Sequence, residues 1–99
     1  MDIKLNEVYS FKLVSSEEIV AKVLEIGSDY LLLEEPVSIT TNGQGMGLIP
    51  TLFTSEPQSK IRLNTNSIAL TSVTADTVKL KYLEATTGIK VPTKKLVLG

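Results

Sequence analysis

Apolar and polar positions alternate along residues 8–14 (VYSFKLV), where Tyr9, Phe11 and Leu13 are separated by Ser10 and Lys12. Successive strand side chains point to opposite faces, so this period of two predicts a half-buried strand. Ser15 and Ser16 make the break. A second strand follows over residues 18–26, with Ile19, Ala21 and Val23 on one face and Glu18 and Lys22 on the other. Its last residues, 23–26, lose clean alternation, as expected where a strand bends and both faces are covered. Gly27, Ser28 and Asp29 form a turn cluster. A third strand over residues 30–39 opens on three consecutive leucines, Leu31 to Leu33. Such a run implies burial on both sides, or a subunit interface on one of them. Three apolar segments with very short breaks are the pattern of a tightly bent antiparallel meander.

The pattern loosens at residues 40–47 (TTNGQGMG), which read as a flexible stretch with a two-residue hairpin signal at Asn42-Gly43. Residues 48–64 carry the fourth strand with an interrupting loop at 55–59. Pro50 has no N–H to give a ladder, so the LIPTLF segment belongs at an edge or a bulge. A fifth strand spans residues 67–73, after a turn at Thr65, Asn66 and Ser67. The periodicity then changes. Thr74 offers a capping hydroxyl and Asp76 an early negative charge, which suit a helix start. Val78 and Tyr82 lie four apart and Leu80 and Leu83 three apart, which gives an apolar side to a helix over 75–86, with Lys79 and Lys81 facing out and Gly88 as its cap. The tail, residues 89–99, carries Lys90, Lys94 and Lys95 and reads as an edge strand or a loose end.

Composition narrows the chemistry. The chain has 99 residues, 42% of them hydrophobic and 21% charged, which fits one ordinary globular domain over 1–99. It has no histidine and no cysteine. The commonest general acid/base, the commonest metal ligand and the thiolate are all missing, so no catalytic residue, metal site or cofactor is expected. Two carboxylate doublets exist, Glu17-Glu18 in a turn and Glu34-Glu35 late in a strand. Neighbouring strand residues face opposite ways, so neither doublet converges on a substrate, and the chain does not read as an enzyme. No run is long enough to span a bilayer, and no basic stretch followed by an apolar one opens the sequence. A cytoplasmic protein without a membrane partner is expected. The net charge of −1 makes any nucleic-acid binding a local affair.

Five or six bent strands followed by one short helix are the inventory of an SH3-like or Sm-like barrel. Residues 60–73 (KIRLN-TNS-IALTSV) resemble the second Sm motif, with Ile61, Arg62, Asn64 and Ile68 in place; Leu63 replaces its glycine and the spacing to Ile68 is longer. The leucine run and acidic end of the first motif fall on Leu31, Leu32, Leu33, Glu34 and Glu35, while Asp29 and Tyr30 stand where that motif has its RNA-contacting asparagine. The chain is similar over most of its length to the divergent Sm-like proteins of marine bacteriophages of the cyanophage kind, through FKLVSSEEIVAKV, GLIPTLF and YLEATTG. The resemblance implies a mostly β fold: a small five-stranded, strongly bent antiparallel Sm-like (SH3-like) barrel whose short helix is C-terminal. It also implies a homo-oligomeric ring of five to seven subunits in the cytoplasm of an infected host cell.

In Sm-like rings each subunit offers a base pocket built from the loop after the second strand and the turn between the last two. That implies single-stranded RNA or DNA as the partner, with Asp29, Tyr30, Arg62 and Asn64 as contacts. Tyr30 would stack, Arg62 would pack over the base or meet a phosphate, and Asn64 would read a base edge. Each has an ordinary role as well: Tyr30 as a strand-edge core residue, Arg62 as a surface ion-pair partner. Ring contacts are expected from Leu48, Ile49, Leu52, Phe53, Ile68 and Leu70, because an unpaired strand edge is a liability unless another chain pairs with it. The alternative is a structural or adaptor ring that binds a protein through residues 46–53 and no nucleic acid.

Overall fold

A computed structural model of the chain describes residues 2–56 and 58–87. The strands are β1 (Val8–Leu13), β2 (Glu18–Ile26), β3 (Tyr30–Asn42), β4 (Gly45–Pro50), β5 (Lys60–Asn64) and β6 (Ile68–Val73). A 3₁₀ turn, Thr65–Ser67, joins β5 to β6, and one helix, α1 (Asp76–Thr87), follows. All pairings are antiparallel, in the order β4-β3-β2-β1-β6, with β5 also on β3. Over the described residues the protein is therefore mostly β, with one helix after the strands.

The expected count of five strands is too low: the sheet has six, and its path is open. The difference lies between residues 40 and 64. β3 runs on to Asn42 and turns through Gly43 and Gln44 into β4, whose register runs from Asn42↔Gly45 to Val37↔Pro50. The Asn42 side chain accepts the Gln44 N–H at 2.7 Å, a local turn that holds the hairpin one residue later than the Asn-Gly signal predicts. The stretch read as flexible is thus strand on both sides of that turn, and the single fourth strand is two, β4 and β5. Both pair with the same edge of β3, β5 along Tyr30–Glu34 and β4 along Val37–Asn42.

Between those two partners β3 bends. Glu35 has φ +52°, a left-handed conformation, and Pro36 lacks an N–H. Val20 pairs with Val37 but Lys22 with Glu34, so β3 carries one extra residue there, a bulge that sharpens the twist. A second irregularity, on β2 between Val23 and Glu25, explains the lost alternation near that strand's end.

The sheet also has to curl. β5 and β6 lie on opposite sides of β3, β2 and β1, four strand spacings apart, or roughly 19 Å if flat. The turn linking them spans only about 8 Å from Asn64 to Ile68. The surface so enclosed is packed by Tyr9, Phe11, Ile19, Ala21, Val23, Leu31 and Leu33. Tyr9, Phe11, Ile19, Ala21 and Val23 are residues that the period-two pattern assigns to one face, whereas Leu31 and Leu33 come from the consecutive leucine run.

The opposite face is covered by α1. Val8, Val20, Val37 and Tyr82 form a second cluster, with Val78, Leu83, Ile39 and Leu48 against it. Val78 and Tyr82 point inward as expected, whereas Leu80 is 58% exposed and does not join Leu83 on the sheet. Thr74 is buried, and its hydroxyl is hydrogen-bonded to Ser10 Oγ at 2.9 Å. Lys79 packs at the helix edge and pairs with Glu7 at 3.8 Å. The Tyr82 hydroxyl accepts the Lys22 N–H at 3.0 Å and donates to the Glu34 carbonyl. Lys22 and Glu34 are the residues paired at the mouth of the bulge, so the phenol supplies a rung there. Gly88 and the tail at 89–99 lie outside the described residues.

Candidate functional site

The hairpin between β2 and β3 and the turn between β5 and β6 meet at one corner of the sheet. Two backbone hydrogen bonds build it: Gly27 N–H to Tyr30 O at 2.8 Å, and Thr65 N–H to Asp29 O at 3.0 Å. Asn64 caps the 3₁₀ turn by accepting the Asn66 N–H at 3.1 Å. The register then sets Tyr30 opposite Asn64 and Leu32 opposite Arg62. Residues 30 and 34 positions apart in sequence are brought together because β5 pairs with the start of β3.

All four expected contact residues lie in this corner. Arg62 reaches over the Tyr30 ring, its guanidinium carbon 3.9 Å from the ring centroid, a cation–π contact. Arg62, Asn64 and Asp29 are exposed and Tyr30 is half-buried. Among the described residues the ion pair is that of Lys79 with Glu7, so Arg62 meets an aromatic face rather than a carboxylate. Two members were not singled out by the sequence. Glu25 accepts a hydrogen bond from the Tyr30 hydroxyl at 2.8 Å. Gly27 lies under the ring so closely that a Cβ there would stand 2.0 Å from Tyr30 Cε1. The hairpin register, which sets the end of β2 beside the start of β3, is the signal that points to both.

The electrostatics are mixed. The hydrogen bond to Glu25 raises the Tyr30 phenol above its ordinary value, with the Glu25 charge adding to it; Arg62 opposes and Asp29 reinforces. Two carboxylates and one guanidinium acting on the same phenol do not make a phosphate site. What the corner offers is a planar cation on an aromatic pedestal and an amide at its side, groups suited to the flat face and polar edge of a base. No cluster of acidic residues arranged to hold a metal ion occurs among the described residues.

The residues expected at subunit contacts divide. Leu48 packs under α1 and Ile68 against the enclosed core. Ile49, Leu52, Phe53 and Leu70 are exposed, Phe53 by 74%. Leu52 and Phe53 border a hollow of about 210 Å³ with Pro36, Pro50 and Ile61, rimmed by Glu35 and Glu56. No helix among the described residues is long and apolar enough to cross a membrane. Compared with known protein families and with curated proteins, the sequence matches none.

Proposed function

We propose that the chain is an Sm-like barrel subunit that assembles into a ring of five to seven copies and binds single-stranded RNA or DNA at Tyr30, Arg62 and Asn64. The observation that carries this reading is the Arg62 guanidinium over the Tyr30 ring at 3.9 Å, with Asn64 opposite Tyr30 in the same register. One such site is weak: a stacked base contributes about 1–3 kcal/mol. Repetition around a ring multiplies it, because one strand engages several copies at high effective concentration. Assembly is supported by the sheet itself. Each of β5 and β6 has one strand partner among the described residues, and β6 ends the sheet with Leu70 exposed. Pairing β5 of one copy with β6 of the next repeats head to tail and closes on itself.

Native mass spectrometry, with and without short uridine-rich and adenosine-rich RNAs, tests both halves. A closed oligomer that takes up one strand, and loses it in Arg62→Ala while the ring persists, is the expected result. A monomer would sink the assembly; a ring indifferent to both RNAs would shift the function to protein binding. Phe53, exposed by 74% beside the hollow it borders, favours that second reading. An adaptor would lose its partner in Leu52→Ser or Phe53→Ser and be indifferent to Arg62→Ala.

A further inference from the structure

Tyr30 is not an open platform. Arg62 lies over its ring at 3.9 Å, its hydroxyl is tied to Glu25 Oε2 at 2.8 Å, and Gly27 presses so close that a Cβ would meet Cε1 at 2.0 Å and Cδ1 and Cζ at 2.4 Å. The loop beneath is fixed in turn, by Gly27 N–H to Tyr30 O and Thr65 N–H to Asp29 O. A phenol held at its oxygen, with Gly27 against its ring, is kept in place beneath Arg62. The guanidinium is planar, weakly hydrated and exposed.

We infer that Glu25 and Gly27 are positioning residues: they clamp Tyr30 as a pedestal, and the base stacks on the Arg62 guanidinium that Tyr30 presents. This rests on the nucleic-acid reading above and assigns the parts within it. A free arginine would have to be immobilised when a base arrives, and the pedestal does so beforehand. Losing it weakens binding about 2- to 10-fold per site, the fold-change equivalent to ordering one long side chain. Glu25 makes the inference sharp. By charge alone, removing a carboxylate beside a polyanion site tightens binding. Positioning demands the opposite from Glu25→Ala, and demands that Glu25→Gln, which keeps a hydrogen-bond acceptor, binds at least as well as the unaltered chain.

The test uses the full chain with two readouts. NMR of the RNA-free protein follows the Arg62 Cδ protons, which the Tyr30 ring current shifts upfield when the stack is intact. Fluorescence anisotropy follows binding of labelled 12-residue oligouridylate and oligoadenylate. Expected are an upfield Arg62 signal in the unaltered protein and in Glu25→Gln, its loss in Glu25→Ala and Gly27→Ala, and weaker RNA binding in those two variants alone. An Arg62 signal unmoved by Glu25→Ala and Gly27→Ala overturns the clamp, whatever RNA does. Tighter RNA binding in Glu25→Ala overturns the positioning role. If the unaltered chain binds neither oligonucleotide, the nucleic-acid reading and the base platform both fall, while the Arg62 signal still decides whether the clamp exists.

Discussion

Tyr82 and Tyr30 set the same side chain in opposite circumstances. Tyr82 is buried beneath α1, with its ring in the helix-side cluster and its hydroxyl completing the ladder between Lys22 and Glu34. Every part of it answers a demand of the fold. Tyr30 sits at the rim, with its hydroxyl on one exposed carboxylate and its ring beneath the chain's one arginine. Burial is the main reason the Tyr82 phenol is pushed up to about 12, whereas the hydrogen bond to Glu25 is the main reason Tyr30 is raised. A tyrosine whose polar end repairs a backbone defect is structural. One whose polar end is spent on another side chain, with a cation over its ring, instead fixes that cation where it faces water.

The widest separation between the two is in stability. Tyr82→Ala removes a buried ring and a ladder partner together, at a cost of about 3–5 kcal/mol, and urea unfolding followed by circular dichroism should find the domain barely folded. Tyr82→Phe keeps the ring but strands the Lys22 N–H and the Glu34 carbonyl, costing about 1–3 kcal/mol on the same measurement. A loss below a few tenths would mean that the phenol is not a rung. Alkaline titration refines the contrast. The Tyr82 phenol sits above the ordinary value of 10 in the folded state, at about 12. Its contribution is complete below pH 10 and is lost as the pH rises toward 12, because the unfolded phenol gives up its proton first. Stability of Tyr82→Phe should fall less over that window; parallel curves would disprove the linkage. Smallest of all is Tyr30→Phe, expected within about 0.5 kcal/mol because its hydrogen bond to Glu25 is exposed.

Sequence patterning revealed the enclosed core but not the bend that shapes it. Tyr9, Phe11, Ile19, Ala21 and Val23 are legible because a strand with two unlike faces writes its period into the sequence. The extension of β3 to Asn42 and the separate β4 were hidden by glycines and polar residues, whose place in the ladder is fixed by pairing with each other rather than by propensity. The left-handed Glu35 carries no local mark, since glutamate has no preference for that conformation. At the corner, Tyr30, Arg62 and Asn64 are singled out by a resemblance, and the structure brings them side by side. Glu25 lies in the stretch where alternation lapses and Gly27 reads as a turn residue, because their contacts with Tyr30 depend on a register that spacing alone does not display.

The three-residue turn between β5 and β6 has a consequence for how the chain comes into being. β6 lies against β1, and Ser10 and Thr74, 64 positions apart, share a hydrogen bond. At about 5–20 residues per second a ribosome needs roughly 3–13 s to supply that stretch. Throughout, β1 has one edge without its partner β6, the last strand among the described residues. The nascent chain thus cannot lock this sheet piece by piece; it waits, with an adhesive edge exposed, for the arrival of β6.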